Sequence, residues 1–519
     1  MNNKQAKKWA ATAMSVTLIT ATILTGCGKS ASESGASADP AASGASAKPG
    51  AASAKAMPIE IMEVGWSVAN TLPKPADDFV KQGLDKALNT DIKLTLSATP
   101  EEMIQKLNVR AAGGDLPDVI EFKDKTQYEE YAKKNLLLDL TPYMDKLADV
   151  KSAIGDQTFE RSKVNGKIYA VSKNPTAYYP FFWIRKDWLD HLGMPVPKTL
   201  DEVVEVSKAF TEKDPDGNNK KDTFGITGQL GMLSSIVNNL HGTADNFYLK
   251  DGKMVHGLYE PEMKAAISYL SKLLATGSVD PEIASNKPEN AKDKAFQGKA
   301  GIFVGDWSLI MKNEEKKKWK TANPNAEWVM VSDLTGPGGN TVGQNDTAVT
   351  SGFVTISKAA AKDETKLNKI LEMLNYMAKG DGSLLVQFGV KDTHFTLGAD
   401  GKAVLTDKSP EAAYTYVYQL AGRPEKDYLS TKFPEQKPYI EANDAAKLIE
   451  IFGGYITLPA GYNSADAERF KQEELLKFYY GKNKLESFDA FLKKLDTTFQ
   501  YKTYRDSAMT QLKELGFAP

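Results

Sequence analysis

Between residues 58 and 122 the hydrophobic pattern changes period repeatedly. The segment "PIEIMEVGW" at 58–66 alternates loosely, with Ile59, Ile61 and Glu63 opposing Glu60, Met62 and Val64, as along a strand. A helical stretch follows near 77–88, and "DIKLTLSAT" alternates again. Thr99-Pro100-Glu101-Glu102 then opens a second helix with a cap residue, proline in the first turn and glutamate at the third helical position. Gly113-Gly114 ends it, and "LPDVIEF" supplies a short, nearly continuous apolar strand. Parallel strands need crossover helices, so this order predicts an α/β fold with helices covering a parallel sheet. Ligands of such sheets lie beyond the carboxyl ends of the strands. Those ends carry Trp66 and, further on, Glu121, Phe122 and Asp124.

Downstream, Thr199-Leu200-Asp201-Glu202 repeats the capping box, with Val203, Val206 and Phe210 spaced for one buried helix face. Further helices are expected at 262–274, 358–377, 465–480 and 488–495, and "GPGGN" at 336–340 reads as a turn. There is no internal repeat.

The N-terminus has a different character. Lys4, Lys7 and Lys8 precede an uncharged apolar run at 9–24, short of the roughly 20 residues a spanning helix needs and ending in small residues, as a secretory signal does. Leu24-Thr25-Gly26-Cys27 resembles the lipobox of bacterial lipoproteins, which implies removal of 1–26 and lipidation of Cys27, the one cysteine of the chain; the competing reading is a buried free thiol. Residues 27–56 are almost wholly Ala, Ser, Gly, Pro and Lys and predict a flexible tether. The expected location is therefore the outer face of the cytoplasmic membrane, with the lipid as the only membrane attachment. No disulfide can form, so packing must stabilise an exported domain of about 460 residues, enough for two lobes.

The formal net charge is −2; removing three signal lysines gives (−2) − 3 = −5. Nothing in that balance invites nucleic acid. The four histidines, His191, His241, His256 and His394, form no His-Glu-x-x-His zinc pattern, and neither a phosphate-binding Gly-x4-Gly-Lys loop nor a Gly-x-Ser-x-Gly elbow occurs. With 67 Asp and Glu residues, a glycoside hydrolase with two facing carboxylates stays open as a rival. A structural adhesin would show repeated β domains, which are missing.

Six segments in order, "AAGGDLPDVI", "KVNGKIYAV", "WIRKDWLDHLGMPVPKTLDEV", "DPDGNNKKDTFGI", "FQGKAGIFVGDW" and "SGFVTISKAA", resemble the extracellular solute-binding lipoproteins of ABC importers, family one, in its oligosaccharide-binding branch. The resemblance runs from about residue 58 to the C-terminus. It implies a periplasmic-binding-protein-like (type II) α/β fold with two lobes, 58–182 plus 353–410 and 183–352 plus 411–519, hinged around a cleft. It also implies a carbohydrate ligand, permease subunits as partners, no required cofactor, no enzymatic activity and a monomer. A peptide-like solute is the other ligand class such a cleft could hold.

Sugars present apolar C–H faces and a rim of hydroxyls, so a cleft for them needs aromatic platforms and fixed polar groups. Trp307 matches a position where family members commonly present an aromatic, with Asp306 beside it as a hydroxyl acceptor. Trp66 ends the first strand; Tyr178, Tyr179 and Trp183 lie at the expected crossover; Glu121 and Asp124 follow a strand and could grip hydroxyls; His241 in "NNLHG" joins the set. The competing expectation for each aromatic is the core, and for each carboxylate a solvated loop.

In "DPDGNNKKD", Asp214, Asp216, Asn218, Lys220 and Asp222 alternate as oxygens do around Ca²⁺, lysine through its carbonyl. An EF-hand would need glycine sixth and glutamate twelfth, where this chain has Asn219 and Gly225. Thr223 stands where some relatives have a further acid. A structural calcium and a polar Asp-Asn-Gly turn are the two readings.

Overall fold

The computed structural model describes residues 55–173 and 178–518; the leader, Cys27 and the tether through residue 54 lie outside them. A five-stranded sheet runs in the order Thr90–Ser97, Met57–Val64, Val119–Phe122, Phe353–Ile356, Ala170–Ser172. The first three strands are parallel, with Ile61 opposite Val119. Phe353–Ile356 runs antiparallel to both its neighbours. The sheet is therefore mixed rather than parallel throughout, because this strand enters from the opposite end after the long excursion through residues 181–352. Met57–Val64 is an interior strand, and Ile59, Ile61, Met62, Glu63 and Val64 are all buried. The loose alternation read at 58–66 thus marks a strand covered on both faces, which leaves the Glu63 carboxyl inside.

A four-stranded sheet has the order Trp328–Val331, Phe181–Arg185, Ala300–Gly305, Phe224–Thr227, in which Ala300–Gly305 is parallel to Phe224–Thr227 and antiparallel to Phe181–Arg185. Gly301 is required there, since a Cβ would sit 2.2 Å from the Phe210 ring and 2.5 Å from Trp188. A further four-stranded sheet pairs Phe247–Lys250 with Lys253–His256, and Thr341–Asp346 with Lys447–Ile451.

The caps form as the sequence implies. Thr99 accepts from Glu102 N and Thr199 from Glu202 N, both at 3.2 Å. The helix expected from 358 begins later, as Glu364–Ala378, because Asp363 caps it by accepting from Lys366 N. The helix expected near 77–88 is Phe79–Leu88, capped by Asp78.

Asp78 also marks where the chain returns. The hydroxyls of Tyr414 and Tyr418 donate to its carboxylate at 2.9 and 2.5 Å. Tyr414, Val417, Tyr418, Leu420 and Ala421 all pack into the core of the first sheet. That core therefore extends past the boundary expected at 410. Conversely, Phe388 and Phe395 pack in one cluster with Trp183, Trp307 and Tyr428, on the side of the second sheet. Around residues 384–440 the two cores interleave. Among the described residues no helix is long and apolar enough to cross a membrane.

Candidate functional site

The carboxyl ends of three strands of the first sheet point the same way: Met57–Val64 leads into Trp66, Val119–Phe122 into Lys123 and Ala170–Ser172 into Lys173. In the second sheet, Ala300–Gly305 ends at Asp306 and Trp307, while Tyr178 and Tyr179 precede the antiparallel Phe181–Arg185 and so reach the same edge. A cavity of about 370 Å³ lies between these edges, with Trp66, Lys123 and Lys173 on one wall, Tyr178 and Lys312 on the other, and residues of 416–433 closing a third side.

On the first wall the charges are buried and specific. Glu121 is fully buried; Lys173 Nζ donates to both its oxygens at 3.2 Å, and Lys123 donates to Oε1. Burial opposes its charge, but the two lysines outweigh that and hold the Glu121 carboxyl down at about 2. Burial, reinforced by the charge of Glu121, pushes neighbouring Glu63 well above the usual carboxylate range. The pair thus holds one negative charge between two lysines. Gly352 makes the arrangement possible, since a Cβ there would lie 2.1 Å from Glu121 Oε1.

Trp66 stands beside them, 51% exposed, with φ at +48°. A bulky residue in the left-handed region is strained, and such strain persists where surrounding structure enforces it. Here Tyr416 donates to the carbonyl of the preceding Gly65 at 2.8 Å and ties the strand end to the third wall.

The second wall is aromatic but mostly sealed. Trp307 has no exposed surface; its ring meets Tyr178 and Phe433 edge-on at 5.7 Å each, and its Nε1 has no partner among the described residues. It lies behind the cavity, and Tyr178 and Phe433 are the rings that face it. Trp183 is also fully buried, donating from Nε1 to Gly305 O at 2.9 Å. Tyr178 is half-buried, and burial raises its phenol, so the hydroxyl stays protonated.

The other expected residues do structural work. Asp306 accepts from Ser308 N at 2.8 Å and caps a turn. Asp124 is exposed and caps helix Lys125–Lys133 through Gln127 N. Tyr179 packs against the second core and donates its backbone N–H to Asn443. His241 is buried at the end of helix Leu230–Leu240, its Nδ1 2.7 Å from Val237 O, and burial lowers its pKa. Of the sequence-expected set, only Trp66 and Tyr178 line the cavity, with Glu121 directly behind it.

Residues not singled out in the sequence complete the site. Arg423 stacks 3.6 Å from the Tyr428 ring centre and is held by Glu425 through two bonds of 2.7 and 3.0 Å. Lys432 Nζ donates to the Tyr428 hydroxyl at 2.8 Å, and Lys312 Nζ lies 5.7 Å from the Phe433 ring centre. Lys123 did carry a readable signal: it sits between the strand-end residues 121 and 124. Among the described residues the one lining carboxylate is Glu425, already engaged by Arg423. A hydrolytic site needs two facing carboxylates, and the described residues of these walls supply no such pair.

The 214–222 loop closes on itself. Asp214 accepts from Asn218 N and Asn219 N, and Asn218 Nδ2 donates to Asp216 and Asp222. Among the described residues no group of three or more His, Cys, Asp or Glu side chains is arranged to hold a metal. Partial burial and the Asp214 and Asp222 carboxylates still push Asp216 upward.

Residues 65–384 match the family described as bacterial extracellular solute-binding protein. The chain is 27% identical over 368 residues to lipoprotein LipO of Bacillus subtilis, covering 69% of this chain and 71% of LipO. It is 24% identical over 351 residues to the polygalacturonan/rhamnogalacturonan-binding protein YtcQ of the same organism, covering 65% of this chain and 68% of YtcQ. A solved extracellular solute-binding protein from Bifidobacterium longum subsp. infantis shares the fold, with a TM-score of 0.66 at 19% identity over 88% of this chain and 98% of that one.

Proposed function

The chain belongs to the bacterial extracellular solute-binding protein family, and we propose that it is the substrate-binding subunit of an ABC importer for an oligosaccharide. It is a binding protein and not an enzyme. The observation that carries the saccharide reading is the cavity between the two sheet edges, where aromatic faces (Trp66, Tyr178, Phe433) stand beside fixed hydrogen-bond donors. A pyranose needs that combination, and the similar polygalacturonan/rhamnogalacturonan-binding protein YtcQ is a glycan binder.

The lobes of this clamp are, in our reading, 58–182 with 353–421, and 183–352 with 422–519. Contacts made by both walls exist together only when the walls approach, so ligand shifts the population toward closure. The closed form is what permease subunits would recognise, and ATP hydrolysis belongs to those partners. Lipid on Cys27 and the tether would keep a monomer at the outer face of the membrane. The 214–222 loop would take Ca²⁺ if Asn218 turned its carbonyl inward. A cation would relieve the crowding at Asp216. Calorimetry on chelator-treated protein tests this: calcium binding with a rise in Tm is expected, and the absence of both leaves a metal-free polar turn.

The function is tested by calorimetry against an oligosaccharide panel, with product analysis of the same mixtures. At least one saccharide retained intact is expected. Shortened products would make the protein a hydrolase instead.

A further inference from the structure

The charges around the cavity do not balance. Among the described residues Lys123, Lys173, Lys312, Arg423 and Lys432 line it, against Glu425 alone. Arg423 is matched by Glu425, and Lys123 and Lys173 share the single charge of Glu121 behind them. That leaves Lys312 and Lys432 over, in a chain whose net charge is −2. Lys312 and Lys432 are half-buried, and neither has a carboxylate partner among the described residues. Lys312 Nζ lies 5.7 Å from the Phe433 ring centre and Lys432 Nζ donates to the Tyr428 hydroxyl, contacts that hold both ammonium groups at the cavity without neutralising them.

Closure sharpens the consequence. Removing water from an unpaired ammonium is costly, and a neutral hydroxyl repays that only in part. A carboxylate supplies a charge-assisted bond, roughly twice as strong as a neutral one. We propose that the ligand is a saccharide carrying carboxylates, an oligouronate rather than a neutral oligosaccharide, and that Lys312 and Lys432 meet its acid groups while Trp66, Tyr178 and Phe433 cover its C–H faces. This rests on the saccharide reading above and narrows it to one chemical class.

The test is calorimetry of the full mature chain with four probes: trigalacturonate, its fully methyl-esterified form, galactotriose as a neutral trimer, and citrate as an acid without a sugar ring. Trigalacturonate should bind at least about 10-fold more tightly than the other three, one charge-assisted bond being worth that much, and its affinity should fall as salt rises. Lys312→Gln with Lys432→Gln should weaken it about 10- to 100-fold at unchanged Tm. Equal or tighter binding of the ester or the neutral trimer overturns the proposal and leaves the saccharide reading standing. Citrate binding as tightly as trigalacturonate overturns the need for a sugar. Wild-type affinity in the double variant, or no salt dependence, removes the two lysines from the contact. Retention of none of the three saccharides overturns both readings.

Discussion

The two sheet edges that meet at the cavity end in tryptophans of opposite fate. Trp66, at the first edge, is half-exposed on a strained backbone. Trp307, at the second, is covered by Tyr178 and Phe433 and has no accessible surface. The first edge buries its charges, with Glu63 and Glu121 behind Lys123 and Lys173, and keeps its aromatic outside. The second buries its largest aromatics and offers smaller rings and an unpaired lysine. Strand-end position alone therefore does not decide whether a side chain meets ligand; what packs over it does.

Truncation separates the two tryptophans most sharply. Trp307→Ala should cost about 3–5 kcal/mol of unfolding free energy in denaturant titrations, the range for a large buried aromatic. Trp66→Ala should cost under about 0.5 kcal/mol and instead weaken saccharide binding by about 10-fold. A stable Trp307→Ala protein that had lost its ligand would reverse this assignment.

The buried carboxyl pair yields the next effect. Glu63→Gln should change stability by less than about 1 kcal/mol, because an amide replaces a carboxyl already protonated. Glu63→Gln with Glu121→Gln leaves both lysines without a carboxylate and should cost about 3–5 kcal/mol. Similar losses in the single and double variants would show that the pair does not share one charge.

The pH dependence follows with two signs. Glu121 falls from an ordinary 4.5 to about 2 on folding, so its contribution is complete above 4.5 and lost as pH drops toward 2. Glu63 is raised instead, so its contribution is present at acid pH and is withdrawn as pH climbs above 4.5. Unfolding free energy measured from pH 4 to 8 should decline less in Glu63→Gln than in wild type; superimposable profiles would refute the raised carboxyl. The smallest effect belongs to Asp124, where Asp124→Ala should cost about 1 kcal/mol as a lost helix cap, with saccharide affinity intact. A loss of affinity there would return Asp124 to the binding surface.

Much of this architecture was legible because strands and caps are local. A loosely alternating run located Met57–Val64, a nearly continuous apolar one located Val119–Phe122, and the capping boxes placed the helices after Thr99 and Thr199. The cavity's third wall was not legible. "GRPEKDYLSTKF" has no regular period, and its position is set by Tyr414 and Tyr418 binding Asp78 across 336 and 340 residues. Trp307 illustrates the middle case: its place at a strand end could be read, but the rings that cover it come from 178 and 433. Likewise the packing of residues 414–421 into the first core is tertiary and leaves no mark in the local pattern.

Small-angle X-ray scattering of the mature chain, free and saturated with its tightest-binding saccharide, bears most directly on the idea that two walls close on a solute. A smaller radius of gyration in the saturated sample, absent with saccharides that do not bind, is the expected result. An unchanged radius despite saturation would contradict closure.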